Sequence, residues 1–538
     1  MKYVFKIAIL ALLITVIAPY RAHATFPGKS IVFWDLVQSK EKKDPEFIKA
    51  HQLAREGKHL QALEILEQKI RELPKESTPH VMKGLILNEM GEYIKALSAL
   101  NAGQMIHPRH PGLHYGFCEV YRHLGVPKLS MQGCRIAEEI HRHSPEPHYE
   151  YAQTLAAMGE MRLSNRSLAT AAELDPKNSR YHYERGMNFY YLNQYSEAEK
   201  SFQQALSIDP ADVDSGYQLA YLYAAQKKSD LAKRQITQVL ETRKEHPKLH
   251  SAKLLMEYVS KNALDKLPLE IIPHAYHVGR SKALYQSGQY GLALIEIEAA
   301  DRIKPDDLKI KEVLIGLTSF LLRINSSEKA VKQMIAIVGE TDPQAAKGYQ
   351  ELGDIEVLRG HLSEARKYYQ KALSLSDPNG IARQSLDELP ETAGPTTVAL
   401  SPSDLFFQPT EALNRKGEIF AQYKMSQRAI GFYSLASRMN PNHLPSLLNT
   451  ATAYYNSGDT GRAISILERL LISHPRHEDI LTHHILLAQA YVKNGDHGKG
   501  LKNIEIAIKL NPASKQAIRE NTVFEPIRKM EAYKKLIQ

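Results

Sequence analysis

The chain has few of the residues on which special chemistry depends: among 538 residues there are two cysteines and one tryptophan. It also lacks a CxxC pair, an HExxH pair, a Gly-x-Ser-x-Gly elbow and a glycine-rich phosphate loop. These absences argue against the metal, hydrolase and nucleotide sites that such motifs build. Carboxylate pairs such as Glu138–Glu139 fall at predicted helix ends or on exposed faces, where water solvates them. We therefore predict no catalytic residue, no metal site and no cofactor, and hence no enzyme.

Long apolar runs are scarce as well. The run 7–18 has 12 residues, apolar apart from Thr15, too few for the ~20 that a membrane-spanning helix needs. It follows Lys2 and Lys6 and precedes Ala22-His23-Ala24, a small-x-small cleavage pattern. We predict a secretory signal peptide over 1–24, cleaved after Ala24, with an uncleaved anchor as the alternative. The protein is then expected to be periplasmic or secreted, and not an integral membrane protein after cleavage.

The charge of the chain is only modestly unbalanced. The formal net charge of +9 falls to +6 when the three basic residues of segment 1–24 are removed. The basic residues are scattered rather than clustered, so nucleic acid is not an expected partner. A small positive balance suits attraction to acidic protein surfaces or to anionic polymers of the cell envelope.

Small residues recur along the first half of the chain at a fixed interval of 34 residues: Ala50, Gly84, Cys118, Ala152, Gly186 and Ala220. An alanine or serine follows each of them 12 residues later, at Ala62, Ala96, Ser130, Ser164, Ala198 and Ala232. Within a unit the apolar positions recur at three and four residues, which predicts two helices joined by a turn. The small residues Gly186 and Ala198 are expected to let two helix backbones approach closely.

The segment RGMNFYYLNQYSEAEKSFQQALSIDP (185–210) resembles the tetratricopeptide repeat, and segments 84–108 and 451–475 are similar to it. By phase, about twelve such units cover about four-fifths of the chain. The resemblance implies an all-α fold, a right-handed superhelical α-solenoid of about twelve helix–turn–helix repeats with a C-terminal capping helix. It suggests a secreted or periplasmic bacterial member of this superfamily.

Two interruptions divide the repeat array into three parts. The predicted organisation is a signal peptide (1–24), an N-terminal extension (25–42), a first array (43–244), a truncated or divergent repeat (245–275), a second array (276–379), a loop or insertion (380–409), a third array (410–513) and a capping helix (514–538). The insertion has no helical period, and Leu405, Phe406 and Phe407 are expected to form an apolar plug. A disordered linker is the alternative.

The two cysteines occupy one predicted repeat. Cys118 lies in the first helix and Cys134 lies 16 residues later in the second, so the antiparallel hairpin places them roughly opposite each other. An oxidising compartment would allow a disulfide if the Cα atoms are roughly 4.4–6.8 Å apart. The alternative is that both are free thiols that fill small core positions. Either role is structural.

Tyrosine recurs at the fifth position of four successive repeats, and further aromatic residues follow about one helical turn later. The resemblance implies that the first helix of each repeat lines an inner groove in which ligands lie. The predicted partner-binding groove comprises Tyr115, Tyr149, Tyr183, Met187, Tyr190, Tyr191, Tyr217 and Tyr221. Phenols stack on side chains or sugar rings while donating hydrogen bonds. The alternative is that these tyrosines pack between neighbouring repeats.

Histidine is also periodic, at the position before the tyrosine: His80, His114, His148 and His182, with His484 in the same phase downstream. Stacked repeats lie about 10 Å apart, too far for neighbouring histidines to share a metal ion. The residues are therefore expected to pack between helices. The alternative is a pH-sensitive spine, because protonation of half-buried imidazoles would loosen the stack.

These observations favour a non-catalytic protein–protein interaction scaffold of the bacterial cell envelope. The resemblance suggests that it assists assembly of a secretion, pilus or exopolysaccharide-export complex by holding a protein partner in the tyrosine-rich groove. The alternative is a binding module for an anionic polysaccharide, which would use the same tyrosines together with basic residues. A third and weaker interpretation is a secreted hydrolase or transferase with its site in the 380–409 insertion.

Overall fold

The computed structural model describes residues 44–242, 246, 248–263, 273–391, 400, 405–473 and 479–538. In this part of the chain the regular elements are helices, and none of them is a strand. The all-α prediction is therefore confirmed. The described residues divide into two compact units, the first ending at Leu314 and the second running from Ile315 to Gln538. The predicted signal peptide and N-terminal extension lie outside the described residues.

Paired helices of similar length build the N-terminal unit. They are α1 (Pro45–Arg55), α2 (His59–Glu72), α3 (Thr78–Glu89), α4 (Tyr93–Ile106), α5 (Pro111–His123), α6 (Pro127–Ile140), α7 (Pro145–Ala157), α8 (Met161–Leu174), α9 (Ser179–Tyr191), α10 (Tyr195–Ile208), α11 (Val213–Ala225), α12 (Ser229–Thr242), α13 (Lys248–Ser260), α14 (Pro273–Gln286) and α15 (Tyr290–Ile303). Helix α16 (Leu308–Phe320) begins in this unit and ends in the next.

The C-terminal unit continues the same pattern. Its helices are α17 (Ile324–Val338), α18 (Ala345–Arg359), α19 (Leu362–Leu375), α20 (Ile381–Glu388), α21 (Pro409–Gln422), α22 (Ser426–Met439), α23 (Leu444–Asn456), α24 (Thr460–Ser473), α25 (Ile480–Lys493), α26 (His497–Leu510), α27 (Ser514–Glu520), a 3₁₀ helix (Thr522–Ile527) and α28 (Glu531–Ile537). Counted over the described residues, contacts join the two helices of 11 hairpins, which is close to the number of about twelve predicted from the period.

The periodic small residues bring the two helices of a hairpin together. A Cβ atom on Gly186 of α9 would lie 2.5 Å from the ring of Phe202 in α10, and one on Gly84 would lie 2.7 Å from Leu100. Such distances leave no room for any side chain, because real Cβ contacts are longer than 3 Å. The turn between the helices uses a left-handed residue, for example Gly125 with φ +70°. The 34-residue spacing of the small residues therefore marks the places where the two helices of each hairpin touch.

The region between the first two predicted arrays contains the single helix α13, followed by the hairpin α14–α15. This hairpin folds back within the N-terminal unit, where α15 contacts α5 and α7. The sequence predicts a divergent repeat here but does not predict the return of α15 onto earlier repeats. The contact joins parts of the chain more than 100 residues apart, so no local sequence pattern predicts it.

The 380–409 insertion begins with a helix, α20, which the sequence did not predict. Leu400 donates its backbone N–H to the carbonyl of Leu358, and Phe406 packs against the buried cluster that contains Phe420. Leu405, by contrast, remains 37% exposed. The described part of the insertion is therefore packed on the C-terminal unit, although its apolar contact is made by fewer residues than expected.

The last 25 residues cover the final repeat, as predicted, but they do not form one helix. Two short α-helices flank the 3₁₀ helix, which contains Pro526. Proline lacks the N–H that a continuous α-helix needs, so the segment bends there. Phe524 and Tyr533 are buried in one cluster with Val492 and Ile504 of the last hairpin. The bend lets both halves of the segment reach that apolar face.

Candidate partner-binding face

The predicted groove tyrosines belong to the first helices of successive repeats in the N-terminal unit. Tyr115, Tyr183 and Tyr217 are buried rather than open to solvent. The hydroxyl of Tyr115 donates to Glu119 one turn later in α5, at 3.0 Å. Tyr149 is half-buried and lies 5.5 Å from Tyr181, ring centre to ring centre. The phenols therefore form part of the packing between repeats, which was the alternative left open by the sequence.

A buried lysine of α13 organises the tyrosines of α9 and α11. The ammonium of Lys248 lies 2.8 Å from a carboxylate oxygen of Asp214 and 3.4 Å from the hydroxyl of Tyr183. It also lies 5.5 to 5.7 Å from the ring centres of Tyr183, Tyr217 and Tyr276, within cation–π range. One carboxylate and three phenol rings thus compensate the charge of Lys248.

The ionisation of this pair follows from its surroundings. Burial alone would lower the pKa of Lys248, but Tyr183, Asp214 and Tyr276 outweigh burial and hold that pKa above its usual value. Burial alone would raise the pKa of Asp214, but Lys248 and then Arg180 lower it to about 2. Both groups are therefore charged at neutral pH. The guanidinium of Arg180 also stacks 4.6 Å above the ring of Tyr183.

The hairpin α14–α15 packs against the end of α9 and is held there by hydrogen bonds. The hydroxyl of Tyr191, at the end of α9, lies 2.6 Å from Nε2 of His277 in α14. Nδ1 of His277 lies 2.7 Å from a carboxylate oxygen of Glu296 in α15, whose other oxygen accepts from Arg280 at 2.9 Å. Burial alone would raise the pKa of Glu296, but Arg280 and His277 hold it below its usual value. The predicted groove residue Tyr191 is therefore bonded to the chain's own hairpin.

Helix α15 also runs along the turns of three earlier repeats. At its N-terminal side the hydroxyl of Tyr93 donates to the side chain of Gln289 at 3.4 Å. Further along, Gly291 lies so close to Gly125 that a Cβ atom on Gly291 would overlap the backbone of the turn. At the far end Arg302 donates to the carbonyls of Ala157 and Ala156, at 3.3 and 3.4 Å. Both carbonyls lie in the last turn of α7, and that of Ala156 also accepts the backbone N–H of Gly159 at 2.9 Å.

A second group of aromatic residues keeps part of its surface open. The ring of Tyr190 contacts those of Tyr195 and Tyr221, with ring centres 5.8 Å and 6.4 Å away. Tyr195 is 42% exposed, and Tyr190, Tyr221 and the nearby Met187 are half-buried. We call Met187, Tyr190, Tyr195 and Tyr221 the aromatic cluster. Tyr195 begins the second helix of its repeat, so a search confined to first-helix positions missed it.

Three family models described as tetratricopeptide repeat match the chain, at residues 179–212, 346–379 and 446–477. The chain is a tetratricopeptide-repeat protein. The first of these matches covers α9 and α10, which carry all of the aromatic cluster except Tyr221 of α11, and the other two lie in the C-terminal unit. The tetratricopeptide repeat is a helix–turn–helix unit of 34 residues, which accounts for the hairpins and for the period of the small residues.

Among known proteins, the mouse protein O-mannosyl-transferase TMTC1 is 33% identical over 101 residues, or 19% of this chain. The tetratricopeptide-repeat chain matches only 11% of the length of that relative. Among solved structures, YrrB, a TPR protein with an unusual peptide-binding site, is 19% identical and covers 35% of this chain and 98% of its own, with a TM-score of 0.30. PilF of Pseudomonas aeruginosa is 15% identical and covers 44% of this chain and 96% of its own, with a TM-score of 0.30.

The two cysteines of this tetratricopeptide-repeat protein form a disulfide. Cys118 in α5 and Cys134 in α6 are bonded, with Cα atoms 4.7 Å apart, inside the range required. Both residues are buried beside Ser130, whose hydroxyl donates to the carbonyl of Cys118 at 2.6 Å. The bond therefore joins the two helices of one repeat and has a structural role.

The histidines of the periodic position do not behave as one group. Burial lowers the pKa of His80, His114 and His182. The pKa of His148 is raised instead: burial opposes this, but a 2.6 Å contact with Glu138 outweighs it. A uniform pH-sensitive spine would need shifts of one sign, so this pattern supports the packing interpretation.

A different histidine, outside the periodic set, is the most strongly perturbed. His110 precedes α5, where its Nδ1 accepts the backbone N–H of Gly112 at 3.1 Å and its Nε2 lies 3.0 Å from the hydroxyl of Thr78. Burial, followed by the positive charges of His107 and His141, lowers the pKa of His110 to about 4. Among the described residues, no group of three or more His, Cys, Asp or Glu side chains is arranged to hold a metal ion. His110 is therefore best understood as a helix cap.

Proposed function

We propose that this tetratricopeptide-repeat protein is a non-catalytic scaffold of the bacterial cell envelope that binds a protein partner at the aromatic cluster. Repeats of this family are protein-interaction modules, which supports the coarser part of the proposal. The assembly that it would serve is a secretion, pilus or exopolysaccharide-export complex. The sequence features that support an envelope location are the signal-like segment 1–24 and the positive net charge.

The observation that carries the proposal is the half-open aromatic cluster at α9–α11. Tyrosine supplies a large apolar contact and a hydroxyl at little cost in side-chain entropy, so it is enriched at the centres of protein interfaces. The rings of Tyr190 and Tyr221 pack edge to face, with centres 6.4 Å apart. The ring of Tyr195, with 42% of its surface exposed, is then available for contact.

Two further observations support a protein ligand in an oxidising compartment. The tyrosines of the neighbouring face already contact polypeptide, because Tyr191 is hydrogen-bonded to His277 of the chain's own hairpin. Tyr183 and Tyr217 are buried around Lys248, so their rings offer no exposed surface on which a sugar could stack. The disulfide between Cys118 and Cys134 is of the kind that persists outside the cytosol.

The experiment is photo-crosslinking in intact bacterial cells. The full chain carries p-benzoylphenylalanine in place of Tyr195, and the matched control carries it in place of Leu60, an exposed residue of α2. We expect one defined protein to be cross-linked from position 195 and not from position 60, and Tyr195→Ala to weaken binding of that protein about fivefold or more. Equal cross-linking from both positions, or none from either, would refute the assignment of the site.

Location is tested on the same cells. Release of the protein by osmotic shock, with a mature N-terminus at Thr25, is the expected result. Recovery of the full-length chain in the cytosolic fraction would contradict the envelope part of the proposal.

A further inference from the structure

The hairpin α14–α15 is attached to the N-terminal unit by polar contacts and by close backbone approach. The buried apolar cluster that runs from Tyr183 to Val259 contains no residue of this hairpin among the residues that the structure describes. Its described attachments include the Tyr191–His277 hydrogen bond, the Tyr276 ring 5.7 Å from the ammonium of Lys248, the Gly125–Gly291 approach and the bonds from Arg302 to the end of α7. An interface of this kind exchanges protein hydrogen bonds for water hydrogen bonds, so each bond adds little net stability.

The hairpin also has a core of its own. Leu284 in α14 and Leu294 and Ile297 in α15 are buried, and the hydroxyl of Ser281 in α14 donates to the carbonyl of Ala293 at 2.7 Å. The two helices therefore pack on each other as well as on the turns that they cover. Segment 261–272 connects the hairpin to α13, and segment 304–307 connects it to α16.

We propose that the hairpin α14–α15 is a cis-bound occupant of the partner-binding face, and that a partner gains the covered part of that face by displacing it. This inference rests on the proposed function. The covered part begins at Tyr191, which is adjacent to Tyr190 of the aromatic cluster, with ring centres 5.8 Å apart. A ligand that starts on the open cluster and extends along the turns must therefore compete with the hairpin.

The contacts of the hairpin define the chemistry of a competing partner. Gly291 and Arg302 are 11 residues apart on α15, which is about three helical turns and places them on one face. A matching ligand is a protein helix with a small residue opposite Gly125 and an arginine about three turns later for the carbonyls of Ala156 and Ala157. A group that accepts from or donates to Tyr191 completes the match.

A substitution at Gly291 can detach the hairpin from the turns that it covers without changing any residue of the aromatic cluster. A side chain at Gly291 would overlap the backbone of Leu124 and Gly125, and backbone cannot rotate away as a flexible side chain does. Gly279 lies on α14 of the same hairpin and has open space around its Cβ position. Gly291→Leu should therefore undock the hairpin, while Gly279→Leu is the matched control, because it makes the same substitution at a helical glycine of the hairpin that has open space around it.

Docking is measured first, by hydrogen–deuterium exchange on the full chain. Gly291→Leu is expected to increase exchange at the ends of α5, α7 and α9, with the far-UV circular dichroism unchanged. Gly279→Leu is expected to leave exchange as in the unsubstituted chain. His277→Ala is a second opening variant, in case Gly291→Leu lowers the yield of folded protein. Unchanged exchange in both opening variants would contradict the polar attachment of the hairpin.

Competition is measured by the yield of partner cross-linked from position 195. If the hairpin is displaced in about one molecule in ten, permanent undocking should raise the apparent affinity about tenfold, whereas Gly279→Leu should not change it. Equal yields in the opened variants and the unsubstituted chain would overturn the competition but leave the proposed function standing. A lower yield would show that the hairpin is part of the partner's site, which also overturns it. No cross-link from position 195 in any variant would refute both proposals.

Discussion

Acidification is expected to destabilise the N-terminal unit through His110. This imidazole accepts the N–H of Gly112 through Nδ1, so in the neutral ring the proton is on Nε2, which donates to Thr78. Protonation of Nδ1 removes the acceptor that caps α5 and places a charge in a buried site beside His107 and His141. The perturbation is a change of pH from 7.5 to 4, applied to the full chain and to His110→Asn.

The sign and the magnitude follow from the pKa. The folded-state pKa of His110 is about 4, against an ordinary value of 6.5, so the unfolded chain binds more protons between these values. The contribution of His110 is therefore complete above pH 6.5 and is lost as the pH falls toward 4. The difference corresponds to about 3 kcal/mol in the free energy of unfolding.

The assay is urea unfolding followed by far-UV circular dichroism, repeated between pH 7.5 and pH 4. Asparagine retains a side-chain oxygen that can cap α5, so His110→Asn should remove most of the pH dependence at a modest cost at pH 7.5. The matched control is His250→Asn, at an exposed position of α13. An unchanged pH dependence in His110→Asn, or an equal reduction in the control, would refute the reasoning.

Three other perturbations have outcomes set by contacts on the same unit. Gly186→Ala should lower the free energy of unfolding through overlap with Phe202, by about 1–3 kcal/mol, while Gly431→Ala, with open space around it, should not; equal effects would contradict the packing. Lys248→Met leaves the half-buried Asp214 with Arg180 alone, at 3.6 Å, and should cost about 1–3 kcal/mol in urea unfolding; a neutral result would contradict the charge compensation. Reduction of the disulfide, which closes a loop of 16 residues, should cost about 3 kcal/mol, and alkylation of unreduced protein should be absent; labelling without reductant would show that the bond does not form.

The sequence by itself determined the repeating part of this protein. The 34-residue interval between small residues specifies the hairpins, because a residue without a large side chain is needed wherever two helices touch, as at Gly186 and Phe202. The same regularity predicted the approximate number of hairpins, the placing of the two cysteines opposite each other across one turn and the covering of the last repeat. All of these depend on residues close together in the sequence, so a local pattern carries them.

Only the tertiary structure decided which tyrosines are accessible. Tyr191 and His277 are 86 residues apart, Tyr93 and Gln289 are 196 apart, and Arg302 lies 145 residues from the carbonyl of Ala157. Contacts at such separations have no period, because they depend on where the chain returns after α13. Periodicity therefore predicted that tyrosines would occupy equivalent positions in successive repeats. The return of one hairpin divided them into a covered face around Lys248 and Tyr191 and an open cluster around Tyr195.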